Sequence, residues 1–335
     1  MLWVQVEEEL GLVNATSCPR EIAPQVCRRL KRLLLALTAV AWLASTSAAG
    51  APGGERTLME STRPDGSTLH WAITRPEGDS PTGILLVAQG SGCAPATANP
   101  AVAAAHAIAP HFALLTVEKV GVGPNDAPQD PVGECPEAYF VGHTVRQRVE
   151  DVTQVLSELR GARWWNGKLV LFGGSEGGAV VARLVPRLEP DAAVVFSTGL
   201  GETLAASLER VLPPLAAAEA EAKLAEARSQ PQSREIWGGN SYRWWADVVD
   251  EVLVERLLET KVPVLLIQGA RDSHAPVQSA RAARDAYAAA GRSELTYWEL
   301  EGYDHSMTDA AGVSHRDEVF TRIADWVART VGRPA

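Results

Sequence analysis

A serine flanked by glycines is the first feature of this sequence that could do chemistry. The segment Gly173-Gly174-Ser175-Glu176-Gly177 has the G-x-S-x-G pattern, and it lies between the apolar run Lys168–Phe172 and the helical pattern Ala179–Leu188. In that context the pattern predicts a sharp strand-to-helix turn that exposes the serine hydroxyl. Glycine suits the positions two residues before and two residues after the serine, because a Cβ there would collide with neighbouring chain. Ser175 is therefore the predicted nucleophile of an acyl transfer.

A serine hydroxyl is a weak nucleophile at neutral pH, so it needs a base and an acid that orients the base. Asp272 and His305 each follow a candidate strand, in the chain order Ser, Asp, His. Since the carboxyl ends of parallel strands meet at one edge of a sheet, we expect the three side chains to converge there. Two alternatives stay open. His274 lies too near Asp272 to serve easily as the base and fits a residue that lines the site or caps the next helix, and Asp304 would point away from His305.

The oxyanion of an acyl transfer needs two backbone N–H donors. The backbone of Glu176, directly after the serine, is predicted to supply one. The other is expected from Gln89-Gly90-Ser91-Gly92, which follows a candidate strand and whose small residues let the backbone approach a substrate. Ser91 is the predicted donor and Gly92 the second choice. An ordinary strand-to-helix turn is the alternative interpretation of this segment.

Apolar runs and helical patterns indicate how these residues are positioned. From about residue 57 the two alternate, which is typical of an α/β fold with a mainly parallel sheet covered by helices on both faces. Eight strands are predicted, at Thr57–Ser61, Leu69–Thr74, Gly83–Gln89, Phe112–Glu118, Lys168–Phe172, Ala192–Ser197, Val262–Gln268 and Leu295–Leu300. The turn residues Pro64-Asp65-Gly66 predict an antiparallel hairpin for the first two. The firmest amphipathic helices are Thr144–Leu159, Val277–Ala290 and Arg316–Thr330.

The segment from Glu202 to Glu259 interrupts this alternation. It has no strand pattern, and its helical patterns lie at Pro214–Arg228 and Tyr242–Leu258. Long insertions between core strands are often functional. Four aromatic residues of the segment either anchor it to the core or line a pocket; they are Trp237, Tyr242, Trp244 and Trp245.

The N-terminal segment has the three parts of a secretory signal. A basic cluster at Arg28–Arg32 precedes the apolar run Leu33–Leu43 and the small residues Ser45–Ala49. The apolar run is shorter than the roughly 20 residues that span a bilayer, which favours a cleaved signal over a membrane anchor. Residues 1–49 are therefore predicted to be an N-terminal extension and signal peptide, and residues 50–335 the folded domain. The mature chain is expected in the periplasm or outside the cell, without stable membrane insertion.

Composition and cysteine usage limit the partners. With 335 residues, of which 46% are apolar and 21% charged, the chain can bury a large core. A net charge of −10 argues against binding to nucleic acid, which needs clustered cations. Signal cleavage would leave Cys93 and Cys135, and two cysteines in an oxidising compartment predict one disulfide, with two unrelated thiols as the alternative. Since the cysteines and histidines lack zinc-site spacing, no structural metal is expected.

Together these residues resemble the α/β-hydrolase superfamily, and specifically its esterase and serine-aminopeptidase-like members, over about Thr57 to Val331. The loop after the third strand is similar to a His-Gly-x-x-Gly segment, with Gln89 in place of the histidine. The stretch Glu118-Lys119-Val120-Gly121-Val122-Gly123 is similar to an Asp-x-Arg-Gly-x-Gly-x-Ser segment, with Lys and Asn-Asp replacements. The resemblance implies an eight-stranded, mostly parallel α/β-hydrolase sheet, a helical cap at about 202–259 over the site, and no cofactor.

The expected activity follows from the triad and the resemblance. They imply a serine hydrolase that cleaves small or medium neutral carboxylic esters through an acyl-enzyme, and the N-terminal signal pattern predicts that this hydrolase is exported. A peptidase or amidase that acts on a short peptide or amide would use the same triad and stays open. An alternative of another class is a binding protein that keeps the fold without the chemistry.

Overall fold

The computed structural model describes residues 54–332, so the predicted signal segment lies outside the described residues. Its central feature is an eight-stranded sheet. The strands are β1 (Arg56–Thr62), β2 (Thr68–Thr74), β3 (Thr82–Ala88), β4 (Ala113–Val117), β5 (Trp165–Gly174), β6 (Ala192–Phe196), β9 (Val264–Gly269) and β10 (Leu295–Leu300). They lie in the order β1-β2-β4-β3-β5-β6-β9-β10. From β4 to β10 every neighbouring pair is parallel. The predicted eight-stranded, mostly parallel sheet is confirmed.

The first two strands form the antiparallel hairpin that their turn residues predict. Gly66 has a φ of 86°, which a residue with a Cβ rarely adopts. Asp65 accepts a hydrogen bond from the backbone N–H of Ser67 at 2.9 Å, so its side chain fixes the turn. The hairpin joins the sheet through antiparallel pairing of β2 with β4.

Helices cover both faces of the sheet because the buried strands are apolar on both faces. The ten α-helices of the described part are α1 (Pro100–Ala105), α2 (Glu137–Gly142), α3 (Val145–Leu159), α4 (Glu176–Leu188), α5 (Leu204–Val211), α6 (Pro214–Ser229), α7 (Tyr242–Val248), α8 (Val254–Leu258), α9 (Val277–Ala289) and α10 (Arg316–Val331). One core cluster joins α3, α4, α8 and α9 to one face, and the other joins α1 and α10 to the opposite face. Among residues 54–332, none of the helices is both long and apolar enough to cross a membrane.

The segment between β6 and β9 contains helices α5 to α8 and a short hairpin of β7 (Ile236–Trp237) and β8 (Asn240–Ser241). The prediction that this segment has no strand is wrong. Gly238 and Gly239 both have positive φ, 54° and 76°, and two such residues form the tight turn of a two-residue hairpin. The helix predicted at Tyr242–Leu258 is two helices, α7 and α8, separated by residues 249–253.

The aromatic residues of this segment form a small core of its own. Trp237, Tyr242, Trp244 and Trp245 are all buried and pack together with α6 residues Ala220, Leu224 and Ala227. The rings of Trp244 and Trp245 meet edge to face, with centroids 4.9 Å apart. These four residues therefore hold the segment together rather than line a pocket, and Arg183 of α4 fastens it to the sheet domain through Asp247 at 2.9 Å.

Candidate active site

Ser175 lies at the turn between β5 and α4, in a strained backbone conformation. Its φ is 53° and its ψ is −125°, a region that residues with a side chain rarely occupy. Hydrogen bonds hold it there, because its N–H donates to the Phe196 carbonyl at 2.9 Å and its own carbonyl accepts from the Gly178 N–H at 2.9 Å. The serine side chain is half-buried at the carboxyl end of the sheet.

The glycines around Ser175 are required by close backbone contacts. A Cβ on Gly173 would lie 2.1 Å from the Gly177 carbonyl oxygen, and a Cβ on Gly177 would lie 1.9 Å from the Ala88 carbonyl oxygen. Gly174 is different, since the nearest atom to its Cβ would be 3.7 Å away, an ordinary contact. The sharp turn that the sequence predicts therefore requires glycine at 173 and 177, whereas a side chain at position 174 would meet only ordinary contacts.

His305 and Asp272 are joined by a hydrogen bond of 2.8 Å between His305 Nδ1 and Asp272 Oδ2. Asp272 is buried, and its other oxygen accepts the backbone N–H groups of His274 at 2.8 Å and Ala275 at 2.9 Å. Oδ2 also accepts from the side-chain amide of the buried Gln268 at 2.6 Å. Since a carboxylate can only accept, His305 carries its proton on Nδ1 and presents Nε2 with a free lone pair.

The structure distinguishes the two alternatives that the sequence left open. Asp304 accepts the backbone N–H groups of Ser306 at 2.8 Å and Thr308 at 2.9 Å, and so stabilises the turn after the histidine. His274 lies beside His305, with ring centroids 5.0 Å apart, and burial lowers its pKa. Asp272, and not Asp304, is thus the carboxylate in contact with the His305 imidazole.

Two consecutive residues at the end of β6 connect the serine turn with the histidine loop. The Phe196 carbonyl accepts from the Ser175 N–H, and the Ser197 hydroxyl donates to the His305 carbonyl at 2.9 Å. Strand β6, which lies between β5 and β10 in the sheet, therefore holds the serine turn and the histidine loop at the same edge. The role of Ser197 is not predictable from the sequence, because its partner His305 lies 108 residues further along the chain. Gln268 is only four residues from Asp272, but the apolar pattern of its strand does not show which way its side chain points.

The loop predicted to bind the oxyanion packs directly on the serine turn. A Cβ on Gly90 would lie 3.4 Å from the Cβ of Ser175, so the glycine permits this close approach. Ser91, the predicted donor, is exposed at the loop surface, whereas Gly92 is buried and has a φ of 91°. The Gln89 side chain donates to the Ala94 carbonyl at 2.9 Å and so closes the loop on itself.

A buried charged cluster, which no local sequence pattern predicts, lies behind this loop. The Glu176 carboxylate contacts Arg148 at 2.7 Å, His143 at 3.2 Å and Lys119 at 3.3 Å. The Lys119 ammonium also donates to the carbonyls of Gly90 at 2.6 Å and Gly92 at 2.7 Å. The four side chains of Lys119, His143, Arg148 and Glu176 are together called the Glu176 cluster below.

Burial and pairing set the charge states of the Glu176 cluster. Burial opposes ionisation of Glu176, but Lys119, His143 and Arg148 outweigh it and hold the Glu176 pKa well below its usual value. Burial lowers the pKa of His143 to about 4 and that of Lys119 to about 8, against the attraction of Glu176. At neutral pH His143 is therefore neutral, and its Nε2–H donates to the ionised carboxylate.

Cys93 and Cys135 form a disulfide, with Cα atoms 5.6 Å apart, as the cysteine count predicts. Cys93 follows the oxyanion loop, and Cys135 precedes α2, whose Tyr139 stacks on His143 with ring centroids 4.6 Å apart. The Cys93 N–H also donates to the Pro131 carbonyl at 2.7 Å. The bridge thus ties the loop to the segment that covers the Glu176 cluster.

Reduction of this disulfide is expected to destabilise the protein. The bridge closes a loop with a sequence separation of 42, which is worth about 3–4 kcal/mol through the entropy of the unfolded chain. We expect the thermal unfolding midpoint to fall in the presence of dithiothreitol, as followed by circular dichroism. The double variant Cys93→Ser, Cys135→Ser is the control: it should start from the lower midpoint and not respond to the reductant. An equal midpoint with and without dithiothreitol in the unsubstituted protein would contradict this expectation.

Asp272, His274 and His305 could in principle hold a metal ion, since one ligand atom from each lies within 4.8 Å of the others. The oxygens of Asp272 are, however, already used by four N–H donors, two from the backbone and two from Gln268 and His305. The arrangement fits a hydrogen-bonded Asp–His pair that orients an imidazole.

Comparison with protein families places this geometry in a known group. The model of the family described as serine aminopeptidase, S33, matches residues 121–309, more than half of the chain. The chain belongs to the serine aminopeptidase S33 family. Ser175, Asp272 and His305 all lie inside the matched S33 range, and the loop Gln89-Gly90-Ser91-Gly92 lies before it. The protein is therefore an α/β-type serine hydrolase, as its resemblance implied.

Solved structures share the fold of this S33 member at low sequence identity. Est1E from Butyrivibrio proteoclasticus is 12% identical, with a TM-score of 0.54, over 82% of this chain and 99% of that one. An esterase of Pyrococcus furiosus is 13% identical, with a TM-score of 0.57, over 87% and 96%. A puromycin hydrolase is 18% identical, with a TM-score of 0.58, over 87% of this chain and 41% of that larger one. A search of curated protein sequences gave no significant match.

Proposed function

We propose that the protein hydrolyses carboxylic esters through an acyl-enzyme on Ser175. The observation that carries the proposal is the 2.8 Å bond from His305 Nδ1 to Asp272, which leaves His305 Nε2 free to accept a proton. His305 takes the proton of the Ser175 hydroxyl as its Oγ attacks the ester carbonyl, and the proton then passes to the leaving alcohol. Water, deprotonated by the same imidazole, attacks the acyl-enzyme and releases the acid.

The charges next to the triad favour a neutral ester over a peptide with a free amino terminus. A substrate ammonium group is bound best by an unpaired carboxylate. Glu176, the acidic residue that directly follows the nucleophile, already pairs with Lys119 and Arg148 and so offers no unpaired carboxylate. One of the neighbours in fold, the Pyrococcus furiosus protein, is described as an esterase, which agrees with this choice.

An amide or peptide substrate is the second candidate, and the family description favours it. The S33 family is described as serine aminopeptidase, and one neighbour in fold is described as a puromycin hydrolase. The triad itself serves both reactions, because both proceed through the same oxyanion and acyl-enzyme. Comparison of kcat/KM on short-chain nitrophenyl esters and aminoacyl nitroanilides separates them, and higher values on the anilides would reject the ester proposal.

Labelling with a fluorophosphonate probe tests the nucleophile. We expect the purified protein to be labelled and the Ser175→Ala variant not to be, because the probe reacts only with an activated serine. Ser91→Ala is the matched control: it removes a serine at the same site but keeps the backbone N–H, so labelling should persist. A protein that is folded and takes up no probe would instead be a binding protein on a hydrolase fold.

Export is proposed together with this activity. The segment Arg28–Ala49 has the pattern of a secretory signal, and the disulfide between Cys93 and Cys135 suits an oxidising compartment. The same probe tests the location when it is applied to cell fractions. Ser175-dependent labelling in the periplasmic or culture fraction supports export, and labelling confined to the cytoplasmic fraction rejects it.

A further inference from the structure

Lys119 contacts the two segments whose backbone N–H groups are proposed to bind the oxyanion. Its buried ammonium donates to the Gly90 and Gly92 carbonyls, on either side of Ser91, at 2.6 and 2.7 Å. The same ammonium lies 3.3 Å from the carboxylate of Glu176, the residue that follows the nucleophile. One cation therefore joins the Gly90–Gly92 loop to Glu176, which lies 86 positions after Gly90 in the chain.

The bond to the Gly90 carbonyl sets the direction of the Ser91 N–H. Both groups belong to the same peptide unit, which is planar and trans, so they point in opposite directions. Lys119 draws the carbonyl inward, and the Ser91 N–H consequently points away from Lys119. Without this bond the peptide could turn over, because it rotates about the backbone bonds of Gly90 and Ser91, and Gly90 has no Cβ to resist the rotation. A turned peptide would place a carbonyl oxygen where a donor is needed.

Lys119 is itself fixed by the rest of the Glu176 cluster. Arg148 holds the Glu176 carboxylate at 2.7 Å and the neutral His143 holds it at 3.2 Å, so the carboxylate cannot follow Lys119 if the loop moves. Tyr139 lies against the Lys119 ammonium, with Nζ 5.8 Å from its ring centre. The ammonium thus has a rigid anchor on one side and the flexible glycine loop on the other.

We propose that Lys119 is a positioning residue that keeps the Ser91 and Glu176 backbone N–H groups directed at the oxyanion of the acyl transfer. It touches no reacting atom and acts through the Gly90–Ser91 peptide and the Glu176 side chain. This inference rests on the proposed function, since it concerns the oxyanion of that reaction. It adds a specific role to a cluster that would otherwise only stabilise the fold.

The variant Lys119→Met tests the proposal, because methionine is similar in length and has no N–H donors. We expect kcat on a nitrophenyl ester to fall about 100-fold, as on loss of one oxyanion donor, while KM changes less than about 3-fold. The inhibition constant of an alkyl boronic acid, whose adduct with serine places an oxygen in the oxyanion hole, should rise by a comparable factor. Lys168→Met, which replaces an exposed lysine, is the control and should change neither kcat nor the inhibition constant.

Several outcomes decide between a positioning and a structural role. A folded Lys119→Met protein with kcat and boronic acid affinity within about 3-fold of the original overturns the proposal, as does one that loses only thermal stability. Should Lys119→Met not fold, Lys119→Leu, which also has no N–H donor, is measured in the same way, and the same result overturns the proposal. Absence of fluorophosphonate labelling in the unsubstituted protein would reject the proposed function instead, so the two failures are distinguishable.

Discussion

Replacement of Asp272 by asparagine is expected to lower kcat/KM on an ester substrate by about 10³–10⁴-fold without unfolding the protein. The backbone N–H groups of His274 and Ala275 bind Oδ1 and would hold the asparagine oxygen at that position. The new NH2 group would then face the Nδ1 of His305 and donate to it. The imidazole would carry its proton on Nε2 and could not accept one from Ser175. The expected fall in kcat/KM thus comes from the wrong tautomer of His305 and not from altered packing.

Asp304→Asn is the matched control for this prediction. Asp304 is the next carboxylate to His305 in the chain, and one of its oxygens accepts both of its backbone N–H bonds. Asparagine can keep these bonds through its own oxygen, so kcat/KM should stay within about 10-fold. Steady-state kinetics and circular dichroism of both variants provide the measurement. Equal losses in the two variants would mean that Asp272 has no special role.

The second large effect is expected on folding, from the substitution Gly177→Ala. The new Cβ would lie 1.9 Å from the Ala88 carbonyl oxygen and 2.9 Å from that of Gln89, and both are backbone atoms that cannot turn aside. Strand β3 and helix α4 would have to move apart. We expect the free energy of unfolding to fall by more than about 4 kcal/mol, a large part of the total of a typical domain. Denaturant unfolding followed by fluorescence measures it.

Gly174→Ala, three positions earlier, separates this steric effect from the general cost of losing a glycine. The nearest atom to the new Cβ would be 3.7 Å away, and the φ of Gly174 does not lie in the positive range that favours glycine. The free energy of unfolding of this variant should change by less than about 1 kcal/mol. If both alanines are tolerated equally, the close contact of α4 with β3 is not what the turn requires.

Much of the sheet could be predicted from the sequence because the relevant signals are local. Each predicted strand overlaps an observed one, and the Asp65-Gly66 turn forms the expected hairpin. Strand β5 is longer than its apolar pattern predicts, because the pattern starts at Lys168 and the strand starts at Trp165. Gly167 has a φ of 88°, and the pairing with β3 is irregular at this point, so the strand continues through a distortion that an apolar pattern does not reveal.

The groups behind the site could not be predicted, because their partners are distant in sequence. In the sequence, Lys119 stands out only as a replacement within a segment that is similar to one of the family. Glu176 stands out only as the residue that follows the serine. The hydrophobic pattern identifies Val145–Leu159 as a helix, but it does not show that Arg148, on the same helix, turns a charged group inward to Glu176. Burial of a charge is decided by tertiary pairing, and a single sequence carries no direct signal of that pairing.

The aromatic core between β6 and β9 has a consequence for how this protein can change over evolution. Since Trp237, Trp244 and Trp245 pack chiefly on neighbours from their own segment, selection can reshape that segment while the serine turn and the histidine loop keep their contacts. Arg183 attaches the segment to the sheet domain through ion pairs with Asp247 and Glu251, and these pairs could be retained while the rest of the segment changes in sequence. This segment and the catalytic machinery can in this way be inherited as separable parts of one chain.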